Sequence, residues 1–461
     1  MSGALAVRKS PPAPAREPED TFDSFFARNV RRAPRLLAVV LAFFFIRALG
    51  ARAGAVLLIA ASAAIWPVAV FRPEIGLYAL ILNFVNEWDS YYRLQQYVPV
   101  SLPILFDAAV GIGILLQLGA RRGQRLGLES VQIVLLALYV ILVTLGVLVS
   151  DVRVPNLWAS FRTGFLIRPV TFLFAALLIR DPRSLHRILL ALLIAHTLLM
   201  TTAMSDFLQK GGETLYRVRG TVTAVNYLSY VCVVTLSLLI GLFVYLRERL
   251  AKYAMLLLAI VTLFICMRTL SRSGYYALGA TLLFLAFRLI RRPQTMIVAV
   301  GFGLLFFLMT PAALTQRLGE VESLTTTDRY FLSRVALRMA MDNPALGVGW
   351  HAYERRFLDY DREHVFHKPK QPHSLYLAIA AGSGIPALLV YLMLFGVTIV
   401  QLFRVERDYL RARAPNAFGR YLAVSLQAAL VGHFVFGLAG SYGDSYYAFL
   451  LLAFAFVLVR H

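Results

Sequence analysis

The stretch Ala224–Leu246, AVNYLSYVCVVTLSLLIGLFVYL, carries no charged residue along its whole length. At 1.5 Å per residue a helix of that length crosses the hydrocarbon core of a bilayer, about 30 Å thick. Apolar runs recur near 36–46, 54–71, 75–86, 101–119, 131–149, 162–180, 185–205, 251–267, 272–289, 295–312, 374–403, 421–437 and 444–459. The chain as a whole is 59% hydrophobic, with a mean hydropathy of +0.68. The expected fold is therefore an all-α polytopic membrane protein, a bundle of about 12–14 transmembrane helices of roughly 20 residues each. The first runs are short and are interrupted by Arg47, Arg52, Arg72 and Pro73, so the first pair can form a shallow hairpin without changing the parity.

One long polar segment, Gln316 to Pro372, breaks this pattern before the third-last span. The expected organisation is a disordered cytoplasmic tail over 1–35, a transmembrane bundle over 36–315, a helical insert over 316–372 and C-terminal transmembrane helices over 373–461. The tail carries Pro11, Pro12, Pro14 and the acids Glu17, Glu19 and Asp20, with no apolar core before Leu36, so no cleavable signal peptide is expected. Only Cys232 and Cys266 occur, each in an apolar run, which supports neither a disulfide framework nor a zinc site.

The net charge of +21 looks like a nucleic-acid signal, but its distribution excludes that class. Arginine concentrates in short loops: Arg121, Arg122 and Arg125; Arg180, Arg183 and Arg187; Arg247 and Arg249 with Lys252; Arg288, Arg291 and Arg292; then Arg404, Arg407, Arg411, Arg413 and Arg420. Alternating spans bring all of these, and Arg28, Arg31, Arg32 and Arg35, to one face, which the positive-inside rule makes cytoplasmic. Both termini are then cytoplasmic. The insert lies on the opposite side, which is periplasmic in a Gram-negative cell. No nucleic-acid partner is expected; the loop arginines meet membrane lipids.

A second set of arginines is not explained by topology. Arg153, Arg162, Arg168, Arg217, Arg219, Arg268 and Arg272 fall at or near the ends of spans on the insert side. Cations at membrane depth face a partner or a watery cavity. Local carboxylates are few (Asp151, Asp206, Glu213), so the set predicts an anionic ligand whose phosphate oxygens suit planar guanidinium groups. In the insert, Thr327 and Asp328-Arg329 read as a helix start. Tyr330 to Met341 reads as an amphipathic helix on the bilayer surface, with Phe331 and Val335 on one side and Arg334 and Arg338 on another. Asp342-Asn343-Pro344 ends it, and Gly347-Val348-Gly349-Trp350 turns the chain.

Histidine is the side chain best suited to accept a proton near neutral pH. His351, His364 and His367 match no familiar ligand spacing, and no metal is expected. His196 reads as a satisfied core residue, and His186 and His461 as solvated. His373 stands apart. It opens an apolar run directly after the insert, where a base meets both water and lipid-borne substrates; Ser374 beside it makes helix capping the alternative role. A transporter reading predicts internal repeats and acids at mid-membrane, and neither is evident.

Asp342-Asn343-Pro344-Ala345-Leu346-Gly347-Val348-Gly349-Trp350, then His373-Ser374, nine residues and Gly384, resemble motifs of the O-antigen ligase/polymerase superfamily. Thr269-Leu270-Ser271-Arg272-Ser273-Gly274 and Arg219-Gly220-Thr221 with Asn226 are similar to two more. The resemblance extends over roughly 54–459; position 387 is Ala387, where the ligase branch usually has Gly, Thr or Tyr. It implies a membrane glycosyltransferase C-type bundle in the bacterial inner membrane. It also implies transfer of O-antigen polysaccharide from undecaprenyl diphosphate to a hydroxyl of lipid A–core. His373 would be the general base, and Arg219, Arg272, Arg162, Arg168 and Arg338 the pyrophosphate-binding residues. No cofactor, nucleotide or metal is implied. An O-antigen polymerase or a protein O-oligosaccharyltransferase shares the bundle and donor, and a lipid-linked glycan transporter is the alternative of another class.

Overall fold

The computed structural model describes Phe25 and residues 50–98, 100–120, 130–151, 161–210, 216–289, 293–312, 314, 324–350, 352–414, 417–441 and 445–460. Among these residues the structure is helical, with no strand. In chain order the helices are α1 (Ala51–Phe71), α2 (Pro73–Asn86), α3 (Leu102–Ala120), α4 (Val131–Val149), α5 (Ile167–Leu178), α6 (Pro182–Lys210), α7 (Val225–Tyr245) and α8 (Arg249–Arg268). They continue as α9 (Arg272–Leu289), α10 (Pro293–Leu308), α11 (Leu324–Asp342), α12 (Tyr353–Tyr360), α13 (Leu375–Arg411), α14 (Phe418–Gly437) and α15 (Tyr446–Arg460). Residues 1–24 and 26–49, including the expected tail and first run, lie outside the described residues.

The fold is an all-α polytopic membrane protein. Among the described residues, seven helices (α1, α3, α4, α6, α7, α8 and α13) are long and apolar enough to cross a bilayer, and α5 and α15 are shorter apolar helices. The expected number of about 12–14 is larger. α2 and α10 are too short for that standard, and α9 and α14 interrupt their apolar runs with Arg288 or with Arg420, Gln427 and His433.

Contacts sort the helix ends into two groups. At one end Thr223 before α7 bonds Glu87 after α2, Arg168 of α5 faces Tyr446 of α15, and Ser150 after α4 donates to the Val348 carbonyl of the insert. At the other, Phe418 of α14 packs on His186 and Tyr245, Arg288 pairs with Glu406, and Arg460 donates to the carbonyls of Ala176 and Ile179. Among the described residues Arg288, Arg404, Arg407 and Arg420 gather at this second end. His186 is buried there rather than solvated, because the rings of Phe25 and Phe418 close over it.

α7 and α15 are buried along most of their length, and this dictates how their few polar atoms are used. Thr235 Oγ1 pairs with Tyr447 OH at 2.7 Å, and His433 of α14 joins Tyr230 and Tyr391 through its two ring nitrogens at 2.9 and 2.8 Å. An unpaired polar atom in hydrocarbon costs several kcal/mol, so such pairs fix helix register. Peripheral α3, α4 and α10 turn Leu115, Val134 and Phe307 outward instead, the face a lipid tail would cover.

α13 holds the decisive irregularity. Gly384 adopts φ 88° and ψ 166°, a conformation open almost only to glycine, and Pro386 follows two residues later. The break frees backbone groups that the insert then satisfies. Val348 N donates to Ala381 O at 2.8 Å, Gly349 N to Gly382 O at 3.0 Å, and Ile385 N to Pro344 O at 2.8 Å. The two sequence motifs, 342–350 and 373–384, are thus one structural unit. A Cβ on Gly384 would run into the Ala345 carbonyl. Gly384→Ala is therefore expected to lower stability by about 2–4 kcal/mol, combining strain and overpacking. Thermal unfolding in detergent measures it, and an unchanged midpoint would remove the docked unit from the account.

Candidate functional site

The insert builds its own small core. α11 buries Leu332, Val335, Ala336 and Met339 against Tyr353 and Phe357 of α12, Phe366, and Ala381 of α13. This corrects the surface-helix expectation: α11 begins at Leu324 and packs on protein through this face. Two of its three arginines are engaged with one acid, because Arg334 and Arg338 converge on Glu363, at 3.2 Å for Arg334. Arg338 also reaches the Tyr360 carbonyl at 3.3 Å. The two guanidiniums hold the Glu363 carboxyl at about 2, with Arg338 the main cause. An ion pair between Arg356 and Asp151 ties α12 to the end of α4.

His373 ends the insert with φ 50°, a left-handed conformation that costs a non-glycine residue about 1–2 kcal/mol and recurs at functional sites. Ser374, buried and extended, then starts α13, whose first turn is anchored by Tyr376 OH on the Phe434 carbonyl at 2.7 Å. His373 is exposed as a residue, yet the protein packed around it lowers its pKa. That loss of hydration is the largest cause, and the charges of Arg329 and Lys370 add to it. Neutral imidazole is therefore favoured at a pH where a free histidine would be half protonated.

Arg329, on the first turns of α11, is the residue that sequence reading missed. Burial and the neighbouring Arg272 push its pKa down, while Tyr276 opposes them. His373, Arg329 and Arg272 thus form a chain of electrostatic neighbours. Among the described residues no carboxylate faces Arg329. Its signal in the sequence was weak: it follows Asp328 in what reads as a helix start.

Arg272 opens α9 directly after a tight turn. Leu270 has φ 50°, and Ser271 caps the helix through its side chain on Gly274 N at 3.3 Å. Arg219 lies in the turn after α6, where Asp206 accepts from the backbone N–H groups of Arg219 and Gly220 at 3.1 and 3.2 Å and leaves the Arg219 side chain exposed. Arg217 does not open to solvent in this way; it bonds the Thr269 carbonyl and Asn226 Oδ1, both at 2.9 Å, and so links this turn to the one that carries Arg272. Arg268 lies 4.7 Å over the Phe207 ring. Arg153 and the side chain of Arg162 lie outside the described residues; the backbone of Arg162 opens the π-helical turn Arg162–Leu166.

Arg168 lines a cavity of about 290 Å³ together with Trp350, Tyr353, Glu354, Pro372 and Leu375. Pro372 and Leu375 bracket His373, so this cavity adjoins the candidate base. Trp350 forms one wall, wedged against Phe161 and Phe165, and Gln371 donates to Glu354 at 2.9 Å.

The polytopic helical bundle thus gathers an imidazole, neighbouring guanidiniums and a cavity at its helical insert. Residues 257–392 match the O-antigen ligase family model, so that segment is similar to the O-antigen ligase/polymerase superfamily. The matched segment is under a third of the chain. It contains Arg272, Arg329, Arg338, His373 and Gly384, and leaves out Arg162, Arg168 and Arg219. No curated protein sequence matches the chain.

Proposed function

We propose that the protein is an O-antigen ligase, moving O-antigen polysaccharide from undecaprenyl diphosphate to a hydroxyl of lipid A–core on the periplasmic face of the inner membrane. The observation that carries this reading is the juxtaposition of His373 with Arg329 and, through it, Arg272. Two guanidiniums near a partly dehydrated base favour an anion between them, and a diphosphate is an anion of suitable size and charge.

In the proposed reaction His373 takes the proton from the acceptor hydroxyl as its oxygen attacks the anomeric carbon. The bond from that carbon to the diphosphate breaks, and the leaving undecaprenyl diphosphate carries away the electron pair. Arg272 and Arg329 stabilise the charge growing on the leaving oxygens, and the first-turn N–H groups of α9 act in the same sense. Arg168 and Arg219 are proposed to extend the positive surface toward the donor, and Arg162 is retained from the sequence pattern. Arg338, already paired with Glu363, is assigned to holding the insert in shape. The insert end is taken as periplasmic because Arg288, Arg404, Arg407 and Arg420 gather at the other end.

A polymerase of the same superfamily is the second reading, and the His373-Ser374 to Gly384 spacing favours the ligase. Deletion of the gene separates them when polymer length and polymer attachment are scored independently. The ligase reading expects long chains retained on the lipid carrier and none on lipid A–core. Single repeats on the core would instead assign the polymerase reaction.

A further inference from the structure

A second cavity of about 340 Å³ lies at the same end of the bundle, on the far side of Arg168 from His373's cavity. Its walls come from the end of α2, the connection before α3, the starts of α7 and α15, and Arg168. Arg168 is the shared partition. Its guanidinium lies 5.5 Å from the Tyr446 ring centroid and bonds the Tyr446 hydroxyl.

The chemistry of this second cavity differs from that of the first site. Glu87 and Asp89 face a single guanidinium, so the lining is net negative and does not suit a diphosphate. Both carboxylates are held in place by the fold. Glu87 Oε2 accepts from Thr223 N and Oγ1 at 2.6 and 2.7 Å, and Asp89 Oδ1 accepts from Leu102 N at 3.1 Å. Each retains acceptor capacity for a ligand hydroxyl. Ser445 supplies an independent observation: it is 7% exposed, lines the cavity, and its Oγ has no hydrogen-bond partner. A buried hydroxyl left so is unfavourable, and a ligand hydroxyl in the cavity would satisfy it. Tyr446, stacked on Phe84 at 3.6 Å, adds an aromatic wall. Among the described residues no group of three metal-ligating side chains occurs, so the carboxylates do not read as a cation site.

Fixed carboxylates, an amide at Gln95, unsatisfied hydroxyl capacity and an aromatic wall together suit a neutral, hydroxyl-rich pyranose. The volume gives room for about one or two rings. We propose that this cavity is the saccharide subsite for the acceptor, holding its neutral terminal sugar beside Arg168 while the donor diphosphate lies with Arg272 and Arg329. The inference rests on the glycosyl-transfer reading above. It divides the two substrates by charge: the anion goes to the guanidiniums of α9 and α11, and the polyol goes to the carboxylates after α2.

The test uses the full-length protein in nanodiscs and two variants. Ser445→Trp fills the cavity, and Glu87→Gln keeps its shape while removing a charge. Saturation-transfer NMR with neutral disaccharides of glucose, galactose, mannose and N-acetylglucosamine reads binding without requiring turnover. At least one sugar is expected to bind the native protein and to lose at least tenfold in affinity in both variants, with no competition from inorganic pyrophosphate. In reconstituted transfer, the acceptor KM is expected to rise at least tenfold in Glu87→Gln, with kcat and the donor KM within twofold. Absence of any saccharide binding, binding unchanged in both variants, or competition by pyrophosphate overturns the subsite. Native protein that transfers glycan while Glu87→Gln leaves the acceptor KM unchanged overturns the subsite alone. Saccharide binding without any transfer from undecaprenyl diphosphate overturns the ligase reading instead.

Discussion

Replacing His373 with alanine is expected to lower glycan transfer by about 10²–10⁴-fold, the range that a positioned general base contributes. In cells this appears as loss of O-antigen attachment while the protein still inserts and accumulates. His373 is exposed and is not part of the packed core, so its removal acts on chemistry more than on folding. Its left-handed backbone offers a control. Asparagine tolerates that conformation better than alanine does and cannot serve as a base, so His373→Asn should fold at least as well and be equally inactive. Normal smooth lipopolysaccharide on a gel from either variant would remove His373 from the reaction.

The second large effect concerns the cations. Arg329→Ala and Arg272→Ala are each expected to lower kcat by about 10²–10³-fold, the loss seen when one preorganised donor to a developing charge is removed. Lysine at either position should restore part of the rate, since it returns the charge but not the forked geometry. Arg219→Ala should also reduce transfer. Arg404→Ala, an exposed arginine at the opposite end, is the comparator and should change the rate by less than about twofold. Kinetics on purified, reconstituted protein decide the matter. Equal effects at Arg329 and Arg404 would mean that the insert-end arginines serve only topology.

Much of this fold was legible in the sequence because hydropathy is a local property. A chain buried in lipid must satisfy its backbone within each segment, so the apolar runs are helices, and the polar stretch before α13 folds on a small core of its own. The motif residues were legible for a related reason: Gly347, Gly349 and Gly384 are needed wherever backbone approaches backbone. What failed to show is what depends on partners distant in sequence. Arg334 and Arg338 looked available on a helix surface, and only folding brings Glu363 between them. Arg329 looked like part of a helix start until α9 delivered Arg272 beside it. His186 looked solvated at a charged loop, yet α14 brings Phe418 over it. Glu87 and Asp89 sit in one connection and Ser445 in another far along the chain, and they give no common signal until α2, α7 and α15 meet.

In the proposed reaction an uncharged imidazole at residue 373 accepts the proton under the influence of the guanidinium at 329, and the acid limb of the pH–rate profile measures this directly. Burial and the two nearby cations lower the His373 pKa, so the base form persists below the ordinary histidine value of about 6.5. In reconstituted transfer, kcat/KM should stay level from neutral pH down past 6.5 and fall only as His373 protonates below it. Arg329→Ala removes one depressing charge and should move that limb to higher pH, toward the ordinary value, in the activity that remains. A limb above 6.5 in the native protein, or one that stays in place when Arg329 is removed, would contradict the account.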